Sequence, residues 1–239
     1  MIKSLSLKLG KIFSFLILFI IISPNSQAFE ASYKDRKAYM HERQNSSLCN
    51  RYFPIYEHKY HMPSNMLRAI SVTESGRWSK FSNKSVAWPW TINVNGKGYH
   101  FKSRSKAIAK VKEYMKKGKT SIDVGCMQIN LKYHPDAFTN LNQAFEPRYN
   151  IAYAAKFLND KYKRNSSWET SIRHYHNIHK VYSDKYITRV YDNWRKEDKA
   201  ISLAQLERSA MYIKVTPRIK KSNPEVSEIT RSTLRTFLQ

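Results

Sequence analysis

Apolar residues recur at helical spacing through most of the chain, and the alternation of a strand is confined to its middle. "NMLRAISVTESG", from Asn65, reads as an apolar helix ending at Glu74 ahead of a glycine stop, with Pro63 suiting its first turn. "SSLCNRYFPIYEHKY" before it is helical in pattern, with a break or start near Pro54. "SRSKAIAKVKEYMKKG" is a basic amphipathic helix capped by Ser103 or Ser105 and stopped at Gly118. Pro147 opens a helix whose apolar face is Ile151, Ala154, Ala155 and Leu158. A capping box of Ser166 and Glu169 precedes "WETSIRHYHN", and "DKYITRVYDNW" follows, packing through Tyr186, Val190 and Trp194. Between these helices, "AWPWTINVNGKGYHF" alternates apolar and polar residues about Asn95-Gly96, which predicts a two-stranded ribbon from about Trp90 to Phe101. "TSIDVGCMQIN" reads as a short extended approach to a glycine turn, with a helix or loop from Cys126. The fold class is therefore mainly α (α+β), with helices dominant and one small ribbon.

The two ends differ in texture from this middle. Lys3, Lys8 and Lys11 precede an apolar run from Phe13 to Ile22, interrupted by Ser14, and then "SPNSQA", the pattern of a secretory signal peptide over residues 1–28. The apolar run is short for a bilayer span, which needs about 20 residues, so no stable membrane span is expected after cleavage. A lead-in over 29–46, one domain over 47–196 and a basic C-terminal helix (about 201–213) and tail within 197–239, with Pro217 and Pro224, complete the division.

Charge and cysteines narrow the surroundings. The chain has 42 Lys and Arg against 18 Asp and Glu, a formal net charge of +24, so an anionic partner is expected. Export argues against nucleic acid and leaves cell-wall polymers, anionic lipid surfaces or a general lysine bias. Cys49 and Cys126 are the two cysteines, and in an oxidising compartment such as the periplasm two thiols commonly pair.

Glu74 is the candidate for chemistry. At helical spacing Leu67, Ile70 and Glu74 fall on or near one face, so the acid sits where packing is expected and at the negative end of the helix dipole. Both effects favour a neutral carboxyl group, which is what general acid catalysis near neutral pH requires. A frayed helix end with Glu74 turned to water is the alternative.

Taken in order, Glu74-Ser75 closing an apolar helix, "GCMQIN" from Gly125, "NIAYAAKFL" from Asn150 and Tyr175 in "RHYHN" resemble the motifs of lytic transglycosylases with a goose-type lysozyme-like domain. The "WPWTINVNGKG" ribbon and "DVGCMQIN" are similar to a proteobacterial exported branch of that family. The resemblance implies a lysozyme-like helical domain that cleaves the MurNAc-GlcNAc β-1,4 bond of peptidoglycan glycan strands, forming 1,6-anhydromuramic acid with no metal or other cofactor. It implies Glu74 as catalytic acid and base, and Ser75, Gly125, Met127, Gln128, Asn130 and Tyr175 as substrate-binding residues. Gly125 would let backbone approach the sugar, and Gln128 can both donate to and accept from acetamido and hydroxyl groups; Met127 suits ordinary core equally well, and Asn130 a turn or cap. Tyr175 is followed by His176, with no glycine soon after Asn177, which departs from the commoner Tyr-Asn-x-Gly version.

Other residues invite other readings. The cluster His174, His176 and His179 invites a metal reading, but on a helix His174 and His176 point to different sides and no Cys or nearby carboxylate completes a set, so solvated or capping histidines are expected. Trp88, Trp90, Tyr99 and Phe101 suit either a sugar-binding wall or a mini-core under the ribbon. A muramidase-type hydrolase would need a second carboxylate, and Asp123 adjoins a site motif; the same residue could instead brace the Gly125 turn. A non-catalytic wall-binding component of a secretion or conjugation apparatus is the remaining alternative, and such an apparatus stays open as a partner of the enzyme.

Overall fold

The computed structural model describes residues 24–177 and 179–220, with side chains described over 32–205 apart from 178 and 180. The expected signal peptide lies outside the described residues except for its last five positions, as do residues 221–239 of the expected tail. Contacts divide the chain into units 1–41 and 42–239. The described part of the first, from Pro24, is helical.

Helix α1 (Pro24–Asn50) runs through the polar lead-in, because "ASYKDRKAYMHERQ" holds neither proline nor glycine and many good helix formers. After α2 (Phe53–Lys59), α3 (Met66–Ser75) begins three residues beyond Pro63, later than the sequence suggested. Asn65 takes a left-handed conformation there and its side chain makes no cap bond. The buried Glu57 substitutes for it: its carboxylate accepts from Asn65 N–H at 3.1 Å and Leu67 N–H at 2.8 Å, satisfying donors that a helix start leaves open.

Two short strands, β1 (Arg77–Ser79) and β2 (Lys84–Val86), form a hairpin that the pattern did not reveal. The expected ribbon is β3 (Thr91–Val94) and β4 (Lys97–His100), turned through left-handed Asn95 and Gly96. It is half of a larger sheet. β5 (Ile122–Val124) and β6 (Ile129–Asn130) extend it in the antiparallel order β4-β3-β5-β6. Register places Asn93 beside Asp123 and Asp123 beside Asn130. Strand alternation does the rest, sending Ile92, Val94, Ile122, Val124 and Ile129 into buried positions and leaving the three polar residues in a row on the other face.

Helix α4 (Arg104–Lys116) is capped by Ser103, whose Oγ accepts from Lys106 N–H. α5 (Leu141–Phe145) leads to α6 (Pro147–Asn165), which Pro147 opens. Ser166 ends α6 in a left-handed conformation, and it is Ser167 that caps α7 (Trp168–His176), accepting from Thr170 N–H at 3.2 Å. Glu169 pairs with Arg173 one turn on instead of closing a capping box. α8 (Lys180–Lys220) runs on through residues 196–201 and includes the C-terminal helix expected at about 201–213, since "KEDKAISLAQLERSA" contains no breaker.

Two apolar cores result. One, under the helices, gathers Phe53, Met66, Leu67, Ile70, Ile151, Leu158, Ile172 and Val190. The other, under the sheet, gathers Trp88, Trp90, Ile92, Val111, Ile122, Val124 and Phe145. Trp88 and Trp90 are thus mini-core residues, with indole N–H groups donated to the Phe101 carbonyl and to Asn45 Oδ1. Cys49 and Cys126 form a disulfide across a sequence separation of 77 residues, with Cα atoms 6.0 Å apart. Among the described residues no helix is long and apolar enough to cross a membrane.

Candidate active site

A cleft of about 330 Å³ opens between the polar row of the sheet and helices α3, α6 and α7. Glu74, in the last turn of α3, lines it together with Asn93, Asp123, Gln128, Asn130 and Tyr175. Tyr133, His134, Phe157 and His176 complete its walls.

Glu74 is half-buried as a residue, and burial pushes its pKa up to about 7. The charge of Asp123 pushes in the same direction, against Tyr186 and Arg189, which pull it down. The Tyr186 hydroxyl is itself buried and makes no hydrogen bond of ordinary geometry. Its influence on Glu74 is that of a nearby O–H dipole, free to follow the carboxyl group through a change of charge. Tyr175 is anchored instead, its O–H donated to the Met127 carbonyl at 2.6 Å. Burial, and then the charge of Glu74, drive the pKa of Tyr175 well above the usual tyrosine range, so both phenols stay protonated beside the acid.

Asp123 faces the same cleft. Its Oδ1 accepts from the Asn130 amide at 2.7 Å, and burial raises its pKa although that bond opposes the rise. The Gly125 turn is braced by another residue. Asn150 Oδ1 accepts from Met127 N–H at 2.8 Å, and its amide donates to the carbonyls of Val124 and Ala144, each at 3.0 Å.

Three expected substrate contacts lie off the cleft wall. Gly125 sits at φ +83°, and a Cβ there would come within 2.5 Å of the Asn150 side chain; the close approach that demands glycine is made by Asn150. Ser75 is buried, its Oγ 2.7 Å from the Cys126 carbonyl and accepting from Trp88 N–H at 3.3 Å. Met127 is a fully buried core side chain. All three belong to the joint between α3, the sheet and α6. Gln128 does reach the cleft, though its amide donates to the carbonyls of Thr91 and Gly125, leaving its carbonyl oxygen for a ligand.

Sequence reasoning missed Asn93, Tyr133, His134 and Phe157, and treated Tyr186 as packing. Asn93 alone carried a signal: it is the polar position within the apolar run of β3. Of the three clustered histidines, His176 stacks on Tyr186 at 4.5 Å. Among the described residues, no group of three or more His, Cys, Asp or Glu side chains could hold a metal ion.

The transglycosylase SLT domain family matches residues 51–198, more than half of the chain. The chain belongs to that family. No curated protein and no solved structure matches it. The matched span of this SLT protein contains α3, the whole sheet, α6, α7 and the part of α8 bearing Tyr186. Membership supports a lytic-transglycosylase-type activity on peptidoglycan, and with it action outside the cytoplasm.

Proposed function

We propose that this chain is an exported, periplasmic lytic transglycosylase that cleaves the MurNAc-GlcNAc β-1,4 bond and leaves a 1,6-anhydromuramic end, with Glu74 as its only proton carrier. The observation that carries the reading is a half-buried Glu74 in a polar cleft, held by burial at a pKa of about 7. A group titrating there can give a proton and take one back at neutral pH.

In the first step Glu74 donates its proton to the glycosidic oxygen, the C1–O bond breaks, and N-acetylglucosamine leaves with a new hydroxyl group. Positive charge develops at C1 of the muramic sugar, opposed by the Glu74 carboxylate now forming. In the second step that carboxylate takes the proton of the C6 hydroxyl as O6 bonds to C1. The acid is regenerated and no water is consumed. Tyr186 supplies an O–H dipole beside the carboxylate as it forms, while Tyr175, its O–H held by the Met127 carbonyl, packs beside it. Gln128 orients the sugars from the sheet side; Asn130, its amide given to Ser121 and Asp123 and its carbonyl taken by the N–H groups of Lys132 and Tyr133, shapes that wall, and the residues of the joint, Ser75, Gly125 and Met127, hold it in place. The signal peptide over residues 1–28 delivers the enzyme to the wall, where it works alone or opens gaps for a secretion or conjugation apparatus.

Asp123 favours one second reading. It is a carboxylate on the opposite wall of the same cleft, the placement from which a muramidase would activate water. Mass analysis of fragments released from purified peptidoglycan separates the two. Anhydro ends, one water lighter and resistant to borohydride, are expected; reducible fragments of full hydrated mass would assign the chain to hydrolysis.

A further inference from the structure

The cleft uses one face of the sheet, and a concentration of positive charge lies behind the other. Residues 97–119 hold nine Lys and Arg against a single acid, Glu113. They span β4 and α4, on the side where Ile92, Val94, Ile122 and Val124 pack with Ala107 and Val111 of α4. None of these nine cations lines the cleft, so substrate binding there does not account for them.

Two local rules are broken in α4. With Ala107 and Val111 buried, helical spacing turns Lys106, Lys112 and Lys116 outward, and all three are exposed. Lys106 and Lys110, and again Lys112 and Lys116, are like-charge neighbours at helical i,i+4 spacing, an arrangement that destabilises a helix. Lys106 also stands in the first turn, where the helix dipole favours an acid and none is present. Glu113 relieves only part of this. It accepts from Lys110 at 2.9 Å and from Lys117 at 2.7 Å, bonds that lower its pKa to about 2 and keep it charged. A row of lysines kept against the helix's own preferences is the kind of local conflict that accompanies function.

Two tyrosines stand beside the lysines. The rings of Tyr99 and Tyr114 lie 6.1 Å apart, with Lys97 over the first at 5.6 Å and Lys110 over the second at 5.0 Å. Each is half-buried against the core under the sheet, and rings with an apolar body and a polar tip suit the boundary between lipid headgroups and water. Discrete phosphates on a polymer are best gripped by arginine forks, and Arg104, the one arginine of the nine, is paired with Glu146 at 2.9 Å. Lysines spread over a helix face answer to the diffuse field of many headgroups. We propose that the outward face of α4, with Lys97, Tyr99 and Tyr114 beside it, docks peripherally on an anionic phospholipid surface. The cleft, on the opposite face of the sheet, then faces away from the bilayer and toward the wall. That placement rests on the export reading above; the lipid binding does not.

The test sediments the full chain with vesicles of phosphatidylglycerol and phosphatidylethanolamine in equal parts, and separately with phosphatidylcholine vesicles. Residues 1–28, where still attached, add the same contribution to parent and variants, so differences between the proteins read the lysine face. Binding to the anionic vesicles is expected, weakening steeply with added salt, with little on the neutral ones. Lys106→Gln, Lys112→Gln and Lys116→Gln together should weaken it about a hundredfold, each lysine near such a surface contributing about fivefold in affinity. Lys59→Gln, Lys163→Gln and Lys199→Gln, at exposed positions on α2, α6 and α8, remove the same charge and should change binding only slightly. Melting curves give a second readout: the α4 variant loses like-charge crowding and should melt no lower than the parent, whereas a lower temperature would mean that the lysines stabilise α4 and need no partner. Equal losses in the two variants, or equal binding to both kinds of vesicle, would overturn the proposal. So would capture by immobilised polyglutamate without vesicle binding, which would assign the face to an acidic protein. Turnover enters none of these measurements, so failure of the transglycosylase reading would leave them standing.

Discussion

The two walls of the cleft are built on different cores and have different chemistry. The helical wall contributes Glu74 and the phenols of Tyr175 and Tyr186, and all three have pKa values raised by burial. The sheet wall contributes Asn93, Gln128 and Asn130, with Asp123 among them held by an amide. Burial in the helical core tunes proton affinity, and strand alternation sets out hydrogen-bonding groups at regular spacing. On the proposed reading the difference is a division of labour, in which one wall moves the proton and the other holds the sugar. It also makes the joint between them critical, because a shift of about 1 Å between walls is enough to misplace an acid from its bond.

The sharpest way to break this comparison is to disable one wall. Glu74→Gln keeps size and polarity but cannot pass a proton, so wall cleavage should fall by about 10²–10⁴-fold or more. Stability should move the other way. The folded pKa of Glu74 lies above its ordinary value of 4.5, at about 7, so the native state favours the protonated form. Its contribution is fully present below pH 4.5, erodes as pH rises, and above pH 7 leaves an uncompensated cost. The bound on that cost is about 3 kcal/mol, less because Glu74 is partly solvated. Melting curves should therefore show Glu74→Gln more stable than the parent above pH 7 and indistinguishable from it below pH 4.5. For the parent enzyme, kcat/KM should fall as pH rises through about 7. Retained cleavage in the variant would move proton transfer off the helical wall.

The next test loosens the joint covalently. Cys49→Ala with Cys126→Ala opens a loop of 77 residues, for which chain entropy gives about 4.5 kcal/mol as an upper value. A lower melting temperature is expected with activity kept well below it, measured by calorimetry and turnover on the same sample. An unchanged melting temperature would mean that the two cores register without the bridge.

A smaller effect comes from the joint's hydrogen bonds. Asn150→Ala strands the Met127 N–H and two carbonyls within buried structure, at about 1–3 kcal/mol. If the joint sets the spacing of the walls, kcat should drop more than stability explains, and hydrogen exchange should quicken at Gly125 to Gln128. A loss of stability alone would confine Asn150 to structure.

The two walls were unequally legible in the sequence. Helices α4 and α6 could be read from Ser103 and Pro147, and Glu74 stood out because a carboxylate closed an apolar face, all of them local signals. The ribbon β3-β4 was announced by Asn95-Gly96. Its partners β5 and β6, three and two residues long, are too short for any periodicity, and they exist as strands only through pairing with distant β3. That pairing is also what sets Asn93, Asp123 and Asn130 in a row, so the recognition face was hidden. Tyr186 occupied a position in α8 indistinguishable from packing, since the group that makes it functional, Glu74, is more than a hundred residues away. The motif residues Ser75, Gly125 and Met127 were legible as special but not as to why: the joint constrains them as tightly as a ligand would.

The smallest expected effect is the one that tests whether the sheet wall takes any part in the chemistry. Asp123→Asn removes a charge and keeps a side chain able to pair with Asn130. If the muramic C6 hydroxyl supplies the nucleophile, no step needs the Asp123 carboxylate, and the maximal rate should change by less than about tenfold, below the usual contribution of a general base. Its charge still acts across the cleft, because it raises the pKa of Glu74. Without it Glu74 should hold its proton less tightly, so the fall in kcat/KM with rising pH should begin at lower pH than in the parent enzyme. The direction is fixed by the sign of the charge. A muramidase would respond differently: with the base for water removed, the rate would collapse at every pH, by about 10²–10⁴-fold. A full pH profile of Asp123→Asn, with product masses taken at each point, distinguishes a displaced curve of near-parental height from a depressed one. A displaced curve with anhydro products keeps proton transfer on the helical wall, and a depressed one with hydrated products divides it between the two.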